Sequence, residues 1–245
     1  NNGCHQIVEL SLTLVNKPII LIPDITPICT GNNITISAGL GFDTYSWSTG
    51  ENSQSIVVNQ EGNYSVTVTK NNFGTICSTT KNFEVVLSNI AIISNIETID
   101  WTNNENIITV NIDSNSLGDY EYSLDGIHYQ DSNVFNGLFS GQYSVYVRDK
   151  NGCGIVKKDI YLFSYPKYFT PNSDGINDIW KINFSEKEPT INIKIFDRFN
   201  KLLKNTSDNG WDGTYNGQLM PSDDYWFVIT RANGKEYKGH FTLKR

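Results

Sequence analysis

Histidine, cysteine and methionine are scarce in this 245-residue chain, which holds three, four and one of them. His5, His128 and His240 are scattered, and no two of Cys4, Cys29, Cys77 and Cys153 stand at the close pairwise spacing that a structural zinc needs. No Ser/His/Asp set and no phosphate-binding glycine loop occurs, so no catalysis is expected within the chain. There is no apolar run long enough for a transmembrane helix, so no transmembrane segment of its own is expected, and no long stretch carries apolar residues at helical spacing. A basic stripe is missing too. Residues 1–164 hold 7 Lys/Arg against 16 Asp/Glu, and residues 165–245 hold 12 against 10, which sums to the net charge of −7. An acidic leading part before a near-neutral end lacks the footprint of nucleic-acid binding, so no nucleic-acid partner is expected. The sole methionine is Met220 and the chain opens Asn1-Asn2-Gly3-Cys4, without initiator or signal peptide. The expectation is a C-terminal piece of a longer chain.

What remains is rich in Ile, Val, Thr, Asn and Ser, with 19 glycines and 12% aromatics, a mixture that favours strands and turns and points to an all-β fold. The chain also repeats itself. Gly62-Asn63-Tyr64-Ser65-Val66-Thr67-Val68 returns as Gly141-Gln142-Tyr143-Ser144-Val145-Tyr146-Val147. Each copy leads through a polar turn to a cysteine, Cys77 or Cys153, and then to one more alternating segment, Phe83–Leu87 or Ile160–Phe163. Asn2-Gly3-Cys4 followed by Ile7–Leu14 reads as the same ending a third time. The alternation predicts half-buried strands over 34–37, 45–48, 55–58, 64–68, 107–112, 120–124 and 134–138, with a hairpin signal at Asp125-Gly126. Short strands at such spacing make β-sandwiches. The division expected is 1–20 as the last strand of a truncated module, 21–88 and 89–163 as complete modules, and 164–245 as a terminal sandwich.

Cys29 and Cys77 bracket the first complete module with Trp47 between them, so a Cys29–Cys77 disulfide packed on a core Trp47 is expected in an oxidising compartment. Cys153 has no counterpart of Cys29 in its own repeat and is expected as a buried thiol, while Cys4 would pair within its own truncated module.

The terminal segment carries five ordered blocks: Phe169-Thr170-Pro171-Asn172-Ser173-Asp174-Gly175-Ile176-Asn177-Asp178-Ile179-Trp180, then Ile193 to Arg198, Gly210-Trp211-Asp212-Gly213-Thr214-Tyr215-Asn216-Gly217, Pro221 to Phe227, and Gly239 to Arg245. Alternation at Ile191, Ile193 and Ile195, hairpin signals at Asp212-Gly213 and Asn216-Gly217, and a last hairpin across Ala232–Lys235 predict a further sandwich. Asn172, Asp174, Asn177 and Asp178 crowd oxygen ligands around a glycine as Ca²⁺ sites do, but the EF-hand register puts Lys181 where the bidentate acid belongs, so Asx-turns are the expectation and no cofactor is assigned. Asp223 and Asp224 are neighbours on a predicted strand and would point to opposite faces, unlike a glycosidase pair.

In that order the blocks resemble the type B C-terminal sorting domain of the type IX secretion system of Bacteroidota, also called the gliding-motility-associated C-terminal domain. The likeness covers about residues 165–245. One departure is Ser173, where the family commonly has glycine. The upstream repeats resemble the Ig-like modules of large surface adhesins such as SprB, a likeness carried by Tyr120–Leu124 with Asp125-Gly126 and by Val147–Cys153. The resemblance implies tandem Ig-like β-sandwich modules ending in a sorting domain. It further implies export by the type IX secretion translocon, attachment at the cell surface in association with the outer membrane, and an outer-membrane β-barrel partner of the SprF/PorP kind. The contact surface expected comprises Phe169, Asn172, Asp174, Asn177 and Asp178; Trp211, Asp212 and Tyr215; and Leu243, Lys244 and Arg245. The function expected is the stalk and anchoring signal of a secreted adhesin, with a role in gliding motility as one version. The rivals are the same region of a secreted hydrolase whose catalytic domain lies upstream, and a carbohydrate-binding module.

Overall fold

The computed structural model describes residues 14–102, 104–207 and 210–245. Cys4 and the strand expected from Ile7 lie outside the described residues, apart from Leu14 at its end. Among the described residues every regular element is a strand except one 3₁₀ turn, Ser185–Lys187, so the fold is all-β. The described residues gather into two compact units, one within 1–91, 114–119 and 149–154, the other within 92–113, 120–148 and 155–245.

In the first unit the strands are β1 (Ile25–Cys29), β2 (Ile34–Ser37), β3 (Thr44–Trp47), β4 (Ser55–Val58), β5 (Gly62–Asn72) and β6 (Thr75–Ser88). They form a sheet in the order β1-β6-β5-β3 and a pair β2-β4. Period-two alternation turns Val66 and Val68 of β5, Phe83 and Val85 of β6, and Ile56 and Val58 of β4 into one core. Trp47 is buried there as the sequence predicts, its ring edge-on to Phe83 and its indole N–H donating to the Ser53 carbonyl at 2.8 Å. β1 was not legible as a strand because Pro27 interrupts it. It sits at the sheet edge, where proline removes no ladder bond.

The disulfide expectation fails in this unit. Cys29 is bonded to Cys153, 124 residues away, and Cys77 is a free thiol of intermediate burial. Register explains the difference. β1 runs parallel to β6 with Cys29 opposite Ser88, and Cys77 lies eleven residues earlier on β6. At roughly 3.3 Å per residue that is about 35 Å, far beyond disulfide reach. Ser88 instead donates to Asp149 Oδ2 at 2.8 Å and accepts from Asn151 at 3.2 Å, which seats the turn bearing Cys153 beside Cys29. Cys153 is therefore no thiol.

The second unit holds β7 (Ile93–Ile99), β8 (Asn106–Ile112), β9 (Tyr120–Ser123), β10 (Val134–Leu138), β11 (Gly141–Asp149) and β12 (Ile155–Leu162), arranged as sheets β10-β8-β7 and β12-β11-β9. It continues with β13 (Tyr168–Phe169), β14 (Asn192–Phe196), β15 (Leu202–Thr206), β16 (Thr214–Tyr215), β17 (Gln218–Leu219), β18 (Asp223–Thr230) and β19 (Glu236–Leu243). A five-stranded sheet runs β13-β19-β18-β14-β15, and β16-β17 is a small hairpin whose Asn216-Gly217 turn has φ of 50° and 77°, as a type I′ turn requires. Ile193 and Ile195 of β14, Tyr225, Phe227 and Ile229 of β18, and Phe241 and Leu243 of β19 close one core with Phe163, Phe169, Trp180 and Trp211.

Replacing Cys29 or Cys153 with alanine should lower stability by about 2–4 kcal/mol in urea unfolding under oxidising conditions. Cys77→Ser should change it by no more than about 0.5 kcal/mol. Peptide mapping without reductant should recover the Cys29 and Cys153 peptides linked.

Candidate functional site

Aromatic packing builds this end of the molecule before any surface group is considered. The Trp180 ring stacks on Phe241 at 3.9 Å between centroids with 13° between planes, and Trp211 meets Tyr225 edge-on at 4.8 Å. Trp180 and Trp211 also exchange backbone hydrogen bonds of 2.9 and 2.8 Å. Each buried indole spends its single N–H on a loop carbonyl: Trp180 on Pro166 at 2.9 Å and Trp211 on Thr214 at 2.8 Å. The tryptophans of the motif blocks therefore fix two loops from beneath.

Between Phe169 and Trp180 the chain forms an exposed loop satisfied by its own side chains. Asp178 Oδ1 accepts from the N–H groups of Asn172 and Ser173 at 2.9 and 2.7 Å, and its Oδ2 accepts from Gly175 at 2.8 Å. Asp174 Oδ1 accepts from Ile176 N–H at 2.8 Å, and its Oδ2 accepts from the Asn172 amide at 2.8 Å. These bonds, the Ile176 N–H first, hold the Asp174 carboxyl below the usual carboxylate range. All four carboxylate oxygens are thus turned onto the loop itself, the Asx-turn arrangement, and among the described residues no group of three or more His, Cys, Asp or Glu is placed to hold a metal ion. Ser173 has φ of 67° and Asn177 φ of 53°, so the serine that replaces glycine does occupy a left-handed turn position.

The Trp211 turn and the chain end meet this loop. Asp212 Oδ1 accepts from the N–H and hydroxyl of Thr214 at 3.0 and 2.8 Å, and Lys201 lies over the Tyr215 ring at 4.3 Å. Gly213 has φ of 78°, and a Cβ there would fall 2.7 Å from Leu243 and 3.1 Å from the Arg245 guanidinium, so a side chain would be strained and would displace the ends of both. Lys244 lies over Tyr168 at 4.4 Å. Arg245 joins the segments. Its guanidinium donates to the carbonyls of Met220 at 3.0 Å, Gly213 at 3.0 Å and Pro171 at 3.4 Å, and its backbone N–H donates to Ser222 Oγ at 2.9 Å.

The three predicted patches therefore converge, but not all of their residues face outward. Phe169, Trp211 and Leu243 are buried at 0, 1 and 0% exposure, because an aromatic or leucine at an inward register position is the cheapest way to close a small sandwich. They are core residues rather than contact residues. Asn172, Asp174, Asn177, Asp212, Lys244 and Arg245 are exposed, and Asp178 and Tyr215 are half-buried. Asp223 and Asp224 are committed separately, to Arg198 at 3.4 Å and to the Thr242 hydroxyl at 2.6 Å. Sequence reasoning passed over one exposed feature. Phe196, Trp226 and His240 are cross-strand partners on β14, β18 and β19, and Trp226 is 42% exposed. Strand alternation could have found it, since Tyr225 and Phe227 point inward.

This geometry describes a β-sandwich whose loops are ordered from the core. Residues 163–243 match the family model of the CHU_C type IX secretion signal domain, which supports a sorting signal in this segment for export by the type IX machinery to the cell surface. No curated protein matches the chain. Among solved structures, the amphioxus IgVJ-C2 molecule is 13% identical with a TM-score of 0.30, over 56% of this chain and 99% of that one. The three N-terminal domains of the bacteriophage RB49 outer capsid protein Hoc are 13% identical with a TM-score of 0.32, over 88% and 95%. SGBP-B of Bacteroides ovatus, solved in complex with a mixed-linkage heptasaccharide, is 14% identical with a TM-score of 0.22, over 94% and 71%.

Ser173→Gly should raise stability by about 0.5–1 kcal/mol, the relief of left-handed strain less the added freedom of the unfolded chain, as read by urea unfolding. Because its pKa is lowered, Asp174 stabilises the fold above the ordinary carboxylate range and loses that contribution as pH falls through its own lower value. An NMR titration of the Asp174 carboxyl should show its midpoint below that of an unfolded aspartate, with the Ile176 amide signal moving in step.

Proposed function

We propose that this chain is the stalk and surface-anchoring end of a large adhesin exported by the type IX system, with residues 164–245 as a type B sorting domain. Two Ig-like modules, 21–88 and 89–163, precede it. The observation that carries the reading is the convergence of the Phe169–Trp180 loop, the Trp211–Gly217 turn and the Leu243–Arg245 end under one arginine. Three segments far apart in sequence, and held rigid from a common aromatic core, make a shaped polar surface suited to recognition by shape. The recognising partners are the translocon and then an outer-membrane β-barrel of the SprF/PorP kind, with outer-membrane association and, in a gliding organism, a part in motility. The acidic repeats ahead of it suit a solvated stalk rather than a catalyst.

Arg245 orders the surface, and the exposed groups of Asn172, Asp174, Asp212 and Lys244 form it. In a type IX-secreting bacterium, a full-length chain carrying Arg245→Ala should show at least about a tenfold loss of surface-exposed protein, as scored by protease shaving of intact cells. Arg245→Lys should not rescue it, because an ammonium cannot span three carbonyls as a guanidinium does. Unfolding measurements on the purified variants keep a folding defect separate. Full surface display by a folded variant with Arg245, Asn172, Asp174, Asp212 and Lys244 all replaced by alanine would remove this assignment.

A further inference from the structure

The repeat pattern places a module boundary near residue 164, where a polar, flexible linker would ordinarily stand. The chain there reads Tyr161-Leu162-Phe163-Ser164-Tyr165, and Leu162 and Phe163 are 0 and 1% exposed. Phe163 lies in the same core as Phe169, Trp180 and Phe241, and Trp101 and Tyr161 pack against that core. Trp101 stacks on Tyr237 of β19 with centroids 4.6 Å apart and 12° between planes, and stands edge-on to Phe163 at 5.6 Å.

Arg231, directly after β18, closes the same junction. Its Nη1 donates to Asp100 Oδ2 at 2.8 Å, and its Nε and Nη2 donate to Glu188 Oε2 at 3.0 and 2.8 Å. The guanidinium lies over the Phe163 ring at 4.2 Å. Asp100 Oδ2 also accepts from the Phe163 N–H at 3.2 Å, and Glu188 Oε1 accepts from the Ala232 N–H at 2.6 Å. The three charged side chains are only 13, 5 and 16% exposed for Arg231, Asp100 and Glu188. Two carboxylates taken out of water share one cation, so removing that cation leaves both without their counter-charge.

We propose that the strands of residues 92–163 and the C-terminal sandwich open and close as one cooperative folding unit, latched by Arg231 on Asp100 and Glu188 and by Trp101 on Tyr237. The terminal segment is then not an autonomous module fused to a neighbour. Its stability is shared with the preceding strands, and a lesion on either side of residue 164 is felt on both. This holds whether or not the terminal segment is the sorting signal.

Hydrogen–deuterium exchange of the full chain, followed by mass spectrometry across a series of low urea concentrations, tests it. In the unaltered protein, the slowest amides of β8 and of β18–β19 should share one opening free energy and one urea dependence. Arg231→Met, which keeps the side-chain length but not the charge, should speed both sets together by at least about tenfold, since breaking a buried ion pair from one side is strongly destabilising. Asp100→Asn, a smaller change suited to the case in which Arg231→Met does not fold, should speed both sets by a common, smaller factor. Separate openings of the two regions in the unaltered chain would overturn the proposal. So would either variant accelerating β18–β19 while β8 keeps its protection.

Discussion

The mutual embrace of Trp180 and Trp211 underlies everything at the C-terminal end. Two backbone hydrogen bonds join residues that no strand pairing would otherwise bring together, and two indole rings seal the bond pair from water against Phe241 and Tyr225. From that point outward the order is forced. The Trp180 N–H holds the entry at Pro166, the Trp211 N–H holds the turn at Thr214, and the loop between Phe169 and Trp180 then has little freedom except to satisfy itself through Asp174 and Asp178. A surface presented by loops acquires the rigidity of a core because its aromatic residues sit beneath it.

That arrangement also explains which parts of the site could be read from sequence. Period-two alternation located β14, the turn at Ala232–Lys235 announced the hairpin of β18 and β19, and Asn216-Gly217 announced its own, because these signals are local. The motif blocks marked the right segments but mixed two kinds of residue. Phe169, Trp211 and Leu243 shape the surface from inside, whereas Asp174, Asp212 and Lys244 are on it. Only the direction of each side chain separates the two, and for short elements such as β13 and β16 there is too little alternation to fix it. Arg231 was illegible for a different reason. Nothing local distinguishes it from the other basic residues, and its partners Asp100 and Glu188 lie 131 and 43 residues away.

Buried charge and exposed carboxylate behave oppositely within the same unit. Burial pushes the Asp100 carboxyl up, against the opposing pull of the Arg231 charge and the hydrogen bonds. Asp174, held down by its hydrogen bonds, favours the fold when ionised.

The cysteine pairing has a kinetic side. In an unfolded chain the closure of a loop grows less probable as about the three-halves power of its length. Cys29 is 48 residues from Cys77 (77 − 29) and 124 from Cys153, so random encounter favours the non-native Cys29–Cys77 partner by roughly fourfold. The pairing that the sequence suggests is thus the one an early oxidation would trap. Only after β1 has laid Cys29 against Ser88, and the Asp149–Gly154 turn has docked there, does Cys153 become the nearer thiol. The native bond is then a record of folding order: an exported chain that meets oxidant before its strands have paired needs a thiol exchange to recover.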